Sequence, residues 1–431
     1  MNIAIAGYGR EGKSNYEYWA RQSDVSLTIV DENLSMADIP TDAQAILGEG
    51  AFSKLEAFDM VVRTAGLAPY KIKTNGKIWS ATNEFFAQCP APIIGVTGTK
   101  GKGTTASFIA SIMRSAGETV WLVGNIGQPS LDTLPNIQPN DIVIYELSSF
   151  QLWDLEKSPH IAVVLGVEPE HLDVHVDFQD YLQAKMNIRR HQTANDMCFY
   201  YADNEYALQI AATADAPKQA YGFNAADGAH VKGDMFYVGE HIICSTSEVT
   251  LLGQHNIENA CAAVAVTHML GVSNDDIAAG LRNFKGLGHR LQFVHEIDGV
   301  KFYDDSIATT PSASIAALRS FNDHVVVILG GASKGADYTA LAKEVAKRDV
   351  DVLLMGKEAE TIEQSLKQQQ VSRFSRVSGP FAETVKAAYG LARHGSVVLL
   401  SPACASFDMF KDYIDRGDQF TAAARALEKA E

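Results

Sequence analysis

Eight consecutive residues, Gly98-Thr99-Lys100-Gly101-Lys102-Gly103-Thr104-Thr105, hold three glycines, two lysines and three threonines, two of them adjacent. They follow the apolar Pro92-Ile-Ile and Gly95-Val-Thr, and they precede the helix-patterned Ala106-Ser-Phe-Ile-Ala-Ser-Ile-Met. Strand, glycine-rich turn, lysine and helix start form the layout in which backbone N–H groups and a helix N-terminus cradle a polyphosphate. Lys102 is then expected on the β- and γ-phosphates of a nucleoside triphosphate. Two positions depart from the usual P-loop spacing: Val96 stands where the first glycine falls, and Gly103 where the Mg²⁺-binding Ser or Thr falls. Thr104 is the nearest hydroxyl able to take the metal.

Other chemistry-bearing residues stand where strand patterns end. Asp141-Ile-Val-Ile-Tyr-Glu146-Leu-Ser148-Ser149-Phe-Gln151 places a carboxylate just past a β-branched run, where the metal-binding acid of a P-loop enzyme belongs. Glu146 is that candidate, although a lone strand-end Glu more often faces solvent. Glu168-Pro-Glu170-His171-Leu-Asp173 follows the strand-like Ile161-Ala-Val-Val-Leu165, and a histidine among three acids is as readily a metal ligand as a polar loop residue. Lys185, on the amphipathic stretch 181–190, has the composition of a solvated surface lysine. Asn256 and Asn259, three apart on one helix face, either cap a helix or hold a ligand. In Gly288-His289-Arg290 the glycine breaks structure and the basic pair offers a phosphate clamp.

The elements that must position these residues alternate between strand and helix patterns. Asn2-Ile-Ala-Ile-Ala runs into Gly7-Tyr-Gly9-Arg10-Glu11-Gly12, and Leu27-Thr-Ile-Val-Asp31 ends in an acid, a dinucleotide fingerprint with its acidic residue roughly 20 positions on. A pyrophosphate is expected on a helix beginning near Lys13, from NAD or a UDP-sugar alike. Met60-Val-Val-Arg63 leads into the small-residue loop Thr64-Ala-Gly66, and Cys89-Pro-Ala-Pro92 has linker composition. Met197-Cys-Phe-Tyr-Tyr and Val249-Thr-Leu-Leu are expected strands, as are Val300 to Asp304, Val325 to Gly330, Val352 to Met355 and Val397 to Leu400. The polar groups at these last strand ends are Asp305, Thr309, Lys334 and Ser401 to Phe407. The pattern predicts an α/β chain of three domains: a Rossmann-like domain over 1–90, a central P-loop ATPase-type α/β domain over 91–286, and a Rossmann-like domain over 287–431.

At 431 residues, 46% hydrophobic and 20% charged, the chain has the composition of a water-soluble globular protein. Its formal net charge of -16 argues against nucleic-acid or anionic-membrane binding. No apolar run reaches membrane-span length, and Met1-Asn-Ile-Ala-Ile opens as a strand rather than a signal peptide, so a cytoplasmic location is expected. The five scattered cysteines include no C-x-x-C pair, which indicates neither a disulfide framework nor a zinc site.

Taken together, these segments resemble the Mur ligase family over nearly the whole chain. The resemblance rests on Gly98 to Thr105, Gly124-Asn125-Ile-Gly127, Glu146-Leu-Ser-Ser-Phe-Gln151, Glu170-His171-Leu-Asp173, Gly253-Gln-His-Asn256 with Asn259, Gly288-His289-Arg290, Asp305-Ser306-Ile-Ala-Thr309, Gly330-Gly331-Ala-Ser-Lys334 and Leu400-Ser-Pro-Ala-Cys404-Ala-Ser406-Phe-Asp408. The last block is the most specific for the glutamate-adding branch. The resemblance implies an ATP-dependent amide ligase that joins glutamate, of D configuration in that branch, to UDP-N-acetylmuramoyl-L-alanine through an acyl phosphate in peptidoglycan precursor synthesis. ATP is implied on Gly98, Thr99, Lys100, Gly101, Lys102, Gly103, Thr104, Thr105, Asn259, Arg290 and Asp305. Implied for the UDP-linked acid and glutamate are Gly7, Arg10, Glu11, Asp31, Thr64, Gly66, Asn125, Ser148, Gln151, Thr309, Lys334, Ser406, Phe407 and Tyr413. Two Mg²⁺ sites fall to Thr104, Glu146, His171 and Lys185, with Lys185 at the position the family carboxylates with CO₂. Lys102, His171, Lys185 and Lys334 are the implied catalytic set, on a monomer. Lys100 stands where asparagine is usual and Ile307 where many glutamate-adding relatives carry lysine.

Three other functions compete. Folylpolyglutamate synthases share Gly-Lys-Gly-Thr but normally begin close to the phosphate loop, another Mur-type ligase would add a different amino acid, and a nucleotide-sensing regulator would bind NAD without turning over ATP.

Overall fold

The computed structural model describes residues 1–125, 129–225, 227–333 and 335–427. Three sheets form, each mostly parallel. Parallel strands are covered on both faces, which is why they are continuous apolar runs in the sequence. The first sheet orders Gln44–Leu47, Ser26–Asp31, Asn2–Ala6, Met60–Arg63 and Lys77–Ser80 side by side, all parallel. Its first helix, Arg10–Trp19, starts earlier than the expected Lys13, because the extended Gly9 is followed directly by the first helical turn. Gly12 lets that helix lie on the strand end: a Cβ there would come within 2.0 Å of the Gly7 carbonyl oxygen.

The second sheet has nine strands. Its parallel centre orders Met197–Tyr201, Ile161–Val164, Ile93–Thr97, Ile142–Glu146 and Val120–Gly124. Lys102–Ser115, Gln254–Met269 and Asn274–Asn283 pack on one face around Phe108, Ile109 and Val264, while Ala81–Gln88 and Phe178–Arg190 cover the other around Phe85, Leu182 and Ile188. An antiparallel meander, Ala229–Lys232, Met235–Val238 and His241–Ser245, extends the edge. The strand expected at Val249 to Leu252 does not form; Val249 instead closes a single 3₁₀ turn, Thr246–Glu248.

Arg63 ties the first two sheets together. It is fully buried; Nη2 and Nε donate to the two carboxylate oxygens of Asp154 at 2.6 and 2.7 Å, and Nη2 also donates to the Phe150 carbonyl at 2.8 Å. Its Nη1 satisfies the carbonyls of Thr64, Ala65 and Leu67. Arg63→Ala leaves these acceptors unpaired and is expected to destabilise the chain by about 3 kcal/mol, at the low end for a broken buried pair because Asp154 keeps 17% of its side chain in water. Urea unfolding measures this, and an unchanged midpoint would refute it.

Packing divides the chain into two compact units, 1–284 and 285–431. The second unit holds the third sheet, ordered Gln292–Ile297, Val300–Asp304, Val397–Leu400, Val325–Gly330, Val350–Met355 and Phe374–Arg376, with only the first pair antiparallel. Among the described residues, no helix is long and apolar enough to cross a membrane.

Candidate active site

Strand register brings the chemistry of the first unit to one sheet edge. Val96 pairs with Glu146, which also pairs with Gly124, so the strand ends release Gly98, Glu146 and Asn125 side by side. The phosphate loop turns at Gly101, in left-handed conformation with φ 86°, and the helix Lys102–Ser115 begins at once. A Cβ on Gly101 would sit 2.4 Å from Asn259 Oδ1, so only glycine lets the turn lie against that amide. Asn259 Oδ1 also accepts from Thr105 Oγ1 at 3.3 Å, while its Nδ2 donates to Asn256 Oδ1 at 3.4 Å. Thr99 is fastened by its backbone N–H to Gly166 O at 2.8 Å, and its hydroxyl lies 2.9 Å from Tyr181 Oη. Lys102 curls over the loop, its Nζ donating to the carbonyls of Gly98 at 3.1 Å and Thr99 at 2.8 Å. Gly103 and Thr104 are buried at the helix start and Lys100 is exposed.

Lys185 is not solvated, contrary to its sequence context. The helix Phe178–Arg190 turns it inward, 1% exposed, where Nζ donates to Gly98 O at 2.8 Å and to Thr97 Oγ1 at 3.4 Å and lies 4.6 Å from the Tyr181 ring centre. Burial first, and the nearby charge of Lys102 second, hold its ammonium well below the usual lysine range. Its environment thus favours the neutral amine over the ammonium beside the phosphate loop. Glu146 is also buried, and its Oε1 accepts from Asn125 Nδ2 at 3.3 Å. His171 lies on an exposed turn in left-handed backbone conformation, φ 57°, with Nε2 3.8 Å from Glu170 Oε2. Among the described residues, no three His, Cys, Asp or Glu side chains converge as a preformed metal cluster. The four residues expected at a cation offer one carboxylate (Glu146), one imidazole (His171), one hydroxyl (Thr104) and one amine (Lys185).

Beside this edge opens a cavity of about 290 Å³, lined among others by Arg10, Glu11, Gly66, Asn125, Ser148 and Gln151. Six expected substrate residues thus share one space between the first two sheets. Burial raises the Glu11 carboxyl, and Glu11 Oε2 accepts from the Ala65 N–H at 2.8 Å. Gly7, Asp31 and Thr64 are not part of that lining. Asp31 takes the Tyr8 N–H at 2.9 Å and the Asn33 N–H at 2.8 Å, so it shapes the glycine loop. A larger cavity of about 480 Å³, lined by Ser107, Arg114 and Phe284 among others, lies along the phosphate-loop helix away from these groups.

In the second unit, Asp305 and Ser401 leave adjacent strand ends. Ser401 Oγ donates to Asp305 Oδ2 at 2.7 Å, and the Leu291 N–H donates to Oδ1 at 3.2 Å. Arg416, absent from the sequence expectations, is fully buried and spans Ser306, through Oγ at 2.9 Å and O at 2.8 Å, and the Cys404 carbonyl at 3.1 Å, holding the Ser401 to Phe407 loop. Tyr413 accepts from Ser306 Oγ through its carbonyl at 2.8 Å, Ser406 is buried, and Phe407 stands 74% exposed. Arg290 is exposed and Thr309 half-buried. Lys334 lies outside the described residues, as do Ile126 and Gly127 of the Gly124 segment.

Burial lifts the Asp305 carboxyl from its usual 3.8 to about 7. A carboxyl more readily protonated when folded contributes its full stability at low pH and loses it as pH rises through about 7. We expect stability to fall between about pH 4 and 8, by at most about 4 kcal/mol at ~1.4 kcal/mol per tenfold in proton affinity, and Asp305→Asn to flatten that slope. Thermal midpoints across pH measure it; parallel curves for the two proteins would contradict it.

A phosphate loop, a buried amine against it and a cavity on the same strand ends define an ATP-dependent ligase architecture, and the chain belongs to the Mur ligase family. Residues 96–267 match the Mur ligase middle domain and 289–404 the Mur ligase, glutamate ligase domain. In particular, the chain is 39% identical over 407 residues to the UDP-N-acetylmuramoylalanine–D-glutamate ligase of Acetivibrio thermocellus, covering 90% of this chain and 87% of that one. It is 37% identical over 395 residues to the enzyme of the same name from Clostridium tetani, covering 88% and 86%. Its fold is shared with the UDP-N-acetylmuramate-alanine ligase of Thermotoga maritima, at TM-score 0.62, 18% identity and 100% coverage of both chains. A UDP-N-acetylmuramoylalanyl-D-glutamyl-2,6-diaminopimelate–D-alanyl-D-alanyl ligase from Acinetobacter baumannii gives TM-score 0.63 at 14% identity, covering 98% of this chain and 93% of that one.

Proposed function

We infer that the protein joins D-glutamate to UDP-N-acetylmuramoyl-L-alanine at the expense of ATP, as a cytoplasmic monomer in peptidoglycan precursor synthesis. The observation that carries this is Asn125: it lines the cavity and donates to Glu146, whose strand lies next to the one that leads into the phosphate loop. The cavity thus adjoins the strand ends that lead into the phosphate loop, which supports a shared site. Residues 1–90 take the UDP portion, 91–286 the ATP, and 287–431 the incoming amino acid together with further contacts to ATP.

The alanyl carboxylate is a poor electrophile. Its oxygen attacks the γ-phosphorus, ADP leaves, and an acyl phosphate forms; the glutamate amine, once deprotonated, attacks the acyl carbon and inorganic phosphate departs. Two anions meet in the first step, so Lys102 and the loop N–H groups must neutralise the phosphoryl oxygens. Thr104, Glu146, His171 and a carboxylated Lys185 would hold Mg²⁺ at two sites, and the metal would supply further charge neutralisation when bound. Lys185 fits that role because a neutral amine, not an ammonium, attacks CO₂; the new N–C bond and the loss of one proton leave an anionic oxygen ligand. Asn259 fixes the loop, and Asp305 and Arg290 are assigned to ATP. Thr309, Lys334, Ser406, Phe407 and Tyr413 are assigned to glutamate.

Asn125→Leu tests the shared site. It is expected to raise the KM for the UDP-linked acid at least tenfold and to lower kcat, with the KM for D-glutamate unchanged; native constants would detach the cavity from the reaction.

A further inference from the structure

A histidine that neither the sequence nor the proposed mechanism uses sits at the junction of three site-bearing elements. His175 is 2% exposed. Its Nδ1 lies 2.8 Å from Asp180 Oδ2, and Nε2 lies 3.0 Å from Ser149 Oγ. Asp180 belongs to the helix that carries Lys185. Ser149 opens the short helix Ser149–Leu152, whose Phe150 and Gln151 line the cavity together with its cap, Ser148. The His175 backbone N–H donates to the His171 carbonyl at 2.9 Å, closing the turn that holds His171 in left-handed conformation. Phe150 stacks on the His175 ring, 5.4 Å away and 10° from parallel, and packs against His171 at 4.9 Å. Trp153 also packs against the ring, at 4.2 Å, and its Nε1 donates to Asp180 Oδ1 at 3.0 Å. From the first sheet's side, Tyr70 Oη donates to the neighbouring Val174 carbonyl at 2.6 Å.

The order Asp180, His175, Ser149 is that of a hydrolase relay, but Ser149 is 2% exposed, so a substrate has no approach to its hydroxyl. With the carboxylate of Asp180 accepting from Nδ1–H, Nε2 is left to accept from Ser149, and the relay fixes ring orientation instead. We propose that His175 is a positioning residue for the ligase reaction: through Ser149 and Asp180 it locks the Phe150 wall of the cavity to the His171 turn and to the Lys185 helix, so that the UDP-linked acid is presented in register with the phosphoryl-transfer site.

The inference rests on the ligase function proposed above. Its test compares the full-length native chain with His175→Phe, which keeps the ring stack and loses both hydrogen bonds, with Ser149→Ala, with the double variant and with His175→Gln, which restores an acceptor near the Nε2 position. Each single variant is expected to lower kcat/KM for the UDP-linked acid at least tenfold and to lower the thermal midpoint by a few degrees, with the KM for D-glutamate within twofold and the chain still folded at the assay temperature. The double variant is expected to be no worse than the poorer single, as for two members of one relay, and His175→Gln to recover part of the loss. Native constants in the single variants, or losses that multiply in the double, would overturn the relay. Calorimetric binding of the UDP-linked acid runs alongside and is expected to weaken in the same variants. A native chain that binds this acid yet forms no amide would count against the reaction, while unchanged binding and turnover in the variants would count against His175 alone.

Discussion

Replacing Lys102 with alanine is expected to reduce phosphate release from ATP to background, a loss of about a thousandfold or more. The physical reason is the meeting of two anions. A carboxylate must approach a phosphoryl group that already carries negative charge, and each fixed donor aimed at the developing charge is worth on the order of 10² to 10³ in rate. Lys102 rests its ammonium on the carbonyls of Gly98 and Thr99, at 3.1 and 2.8 Å, so it already sits over the loop that would cradle the phosphates. Alanine keeps the helix start, since its helix propensity exceeds that of lysine, so the loss falls on charge rather than on folding. Phosphate release under saturating substrates measures it. Native turnover in Lys102→Ala would remove the loop from the mechanism.

Lys185→Ala is expected to be nearly inactive, by roughly 10² to 10³ by analogy with loss of a single charge-stabilising group, and to be partly rescued by formate or acetate. Both expectations follow from one environment. Burial and Lys102 favour the neutral amine, and such an amine becomes an anionic ligand on reaction with CO₂. A small carboxylate diffusing into the space left by the side chain supplies the same oxygen donors. Removing a buried lysine that is held by a carbonyl, a hydroxyl and the face of the Tyr181 ring relieves a desolvation cost, so the variant is expected to stay folded. Rescue by methylammonium but not by carboxylates would make Lys185 a cation and exclude the carbamate; full activity without rescue would exclude any role.

Much of the frame was legible because buried parallel strands are apolar runs: Ile3 to Ala6, Val61 to Val62 and Val397 to Leu400 are almost free of solvent and stand out as such in the sequence. The phosphate loop was legible for a different reason, since glycine at a left-handed turn before a helix leaves few other uses. The edge meander was not, because its four- and five-residue strands alternate too briefly to distinguish from loop. Lys185 shows the limit of local composition: neighbours in sequence made it look solvated, whereas the phosphate loop, some 85 residues away in the chain, supplies the wall that buries it. Arg63, Arg416 and His175 share that limit. Each is polar or charged in a local context that predicts exposure, and each is buried by partners distant in sequence or across a turn, Asp154 and Phe150 for the first, Ser306 and Cys404 for the second, Ser149 for the third. A full hydrogen-bond set is what makes such burial tolerable, and no periodicity reports it.

The measurement that bears most directly on the proposed activity is phosphate release by the purified chain with ATP, Mg²⁺ and UDP-N-acetylmuramoyl-L-alanine, with D-glutamate or L-glutamate added in turn. The expected result is release that requires both the UDP-linked acid and D-glutamate, matched mole for mole by the amide product. Silence with every amino acid, from protein that binds ATP, would contradict the ligase assignment, and release that follows L-glutamate instead would contradict the assigned substrate.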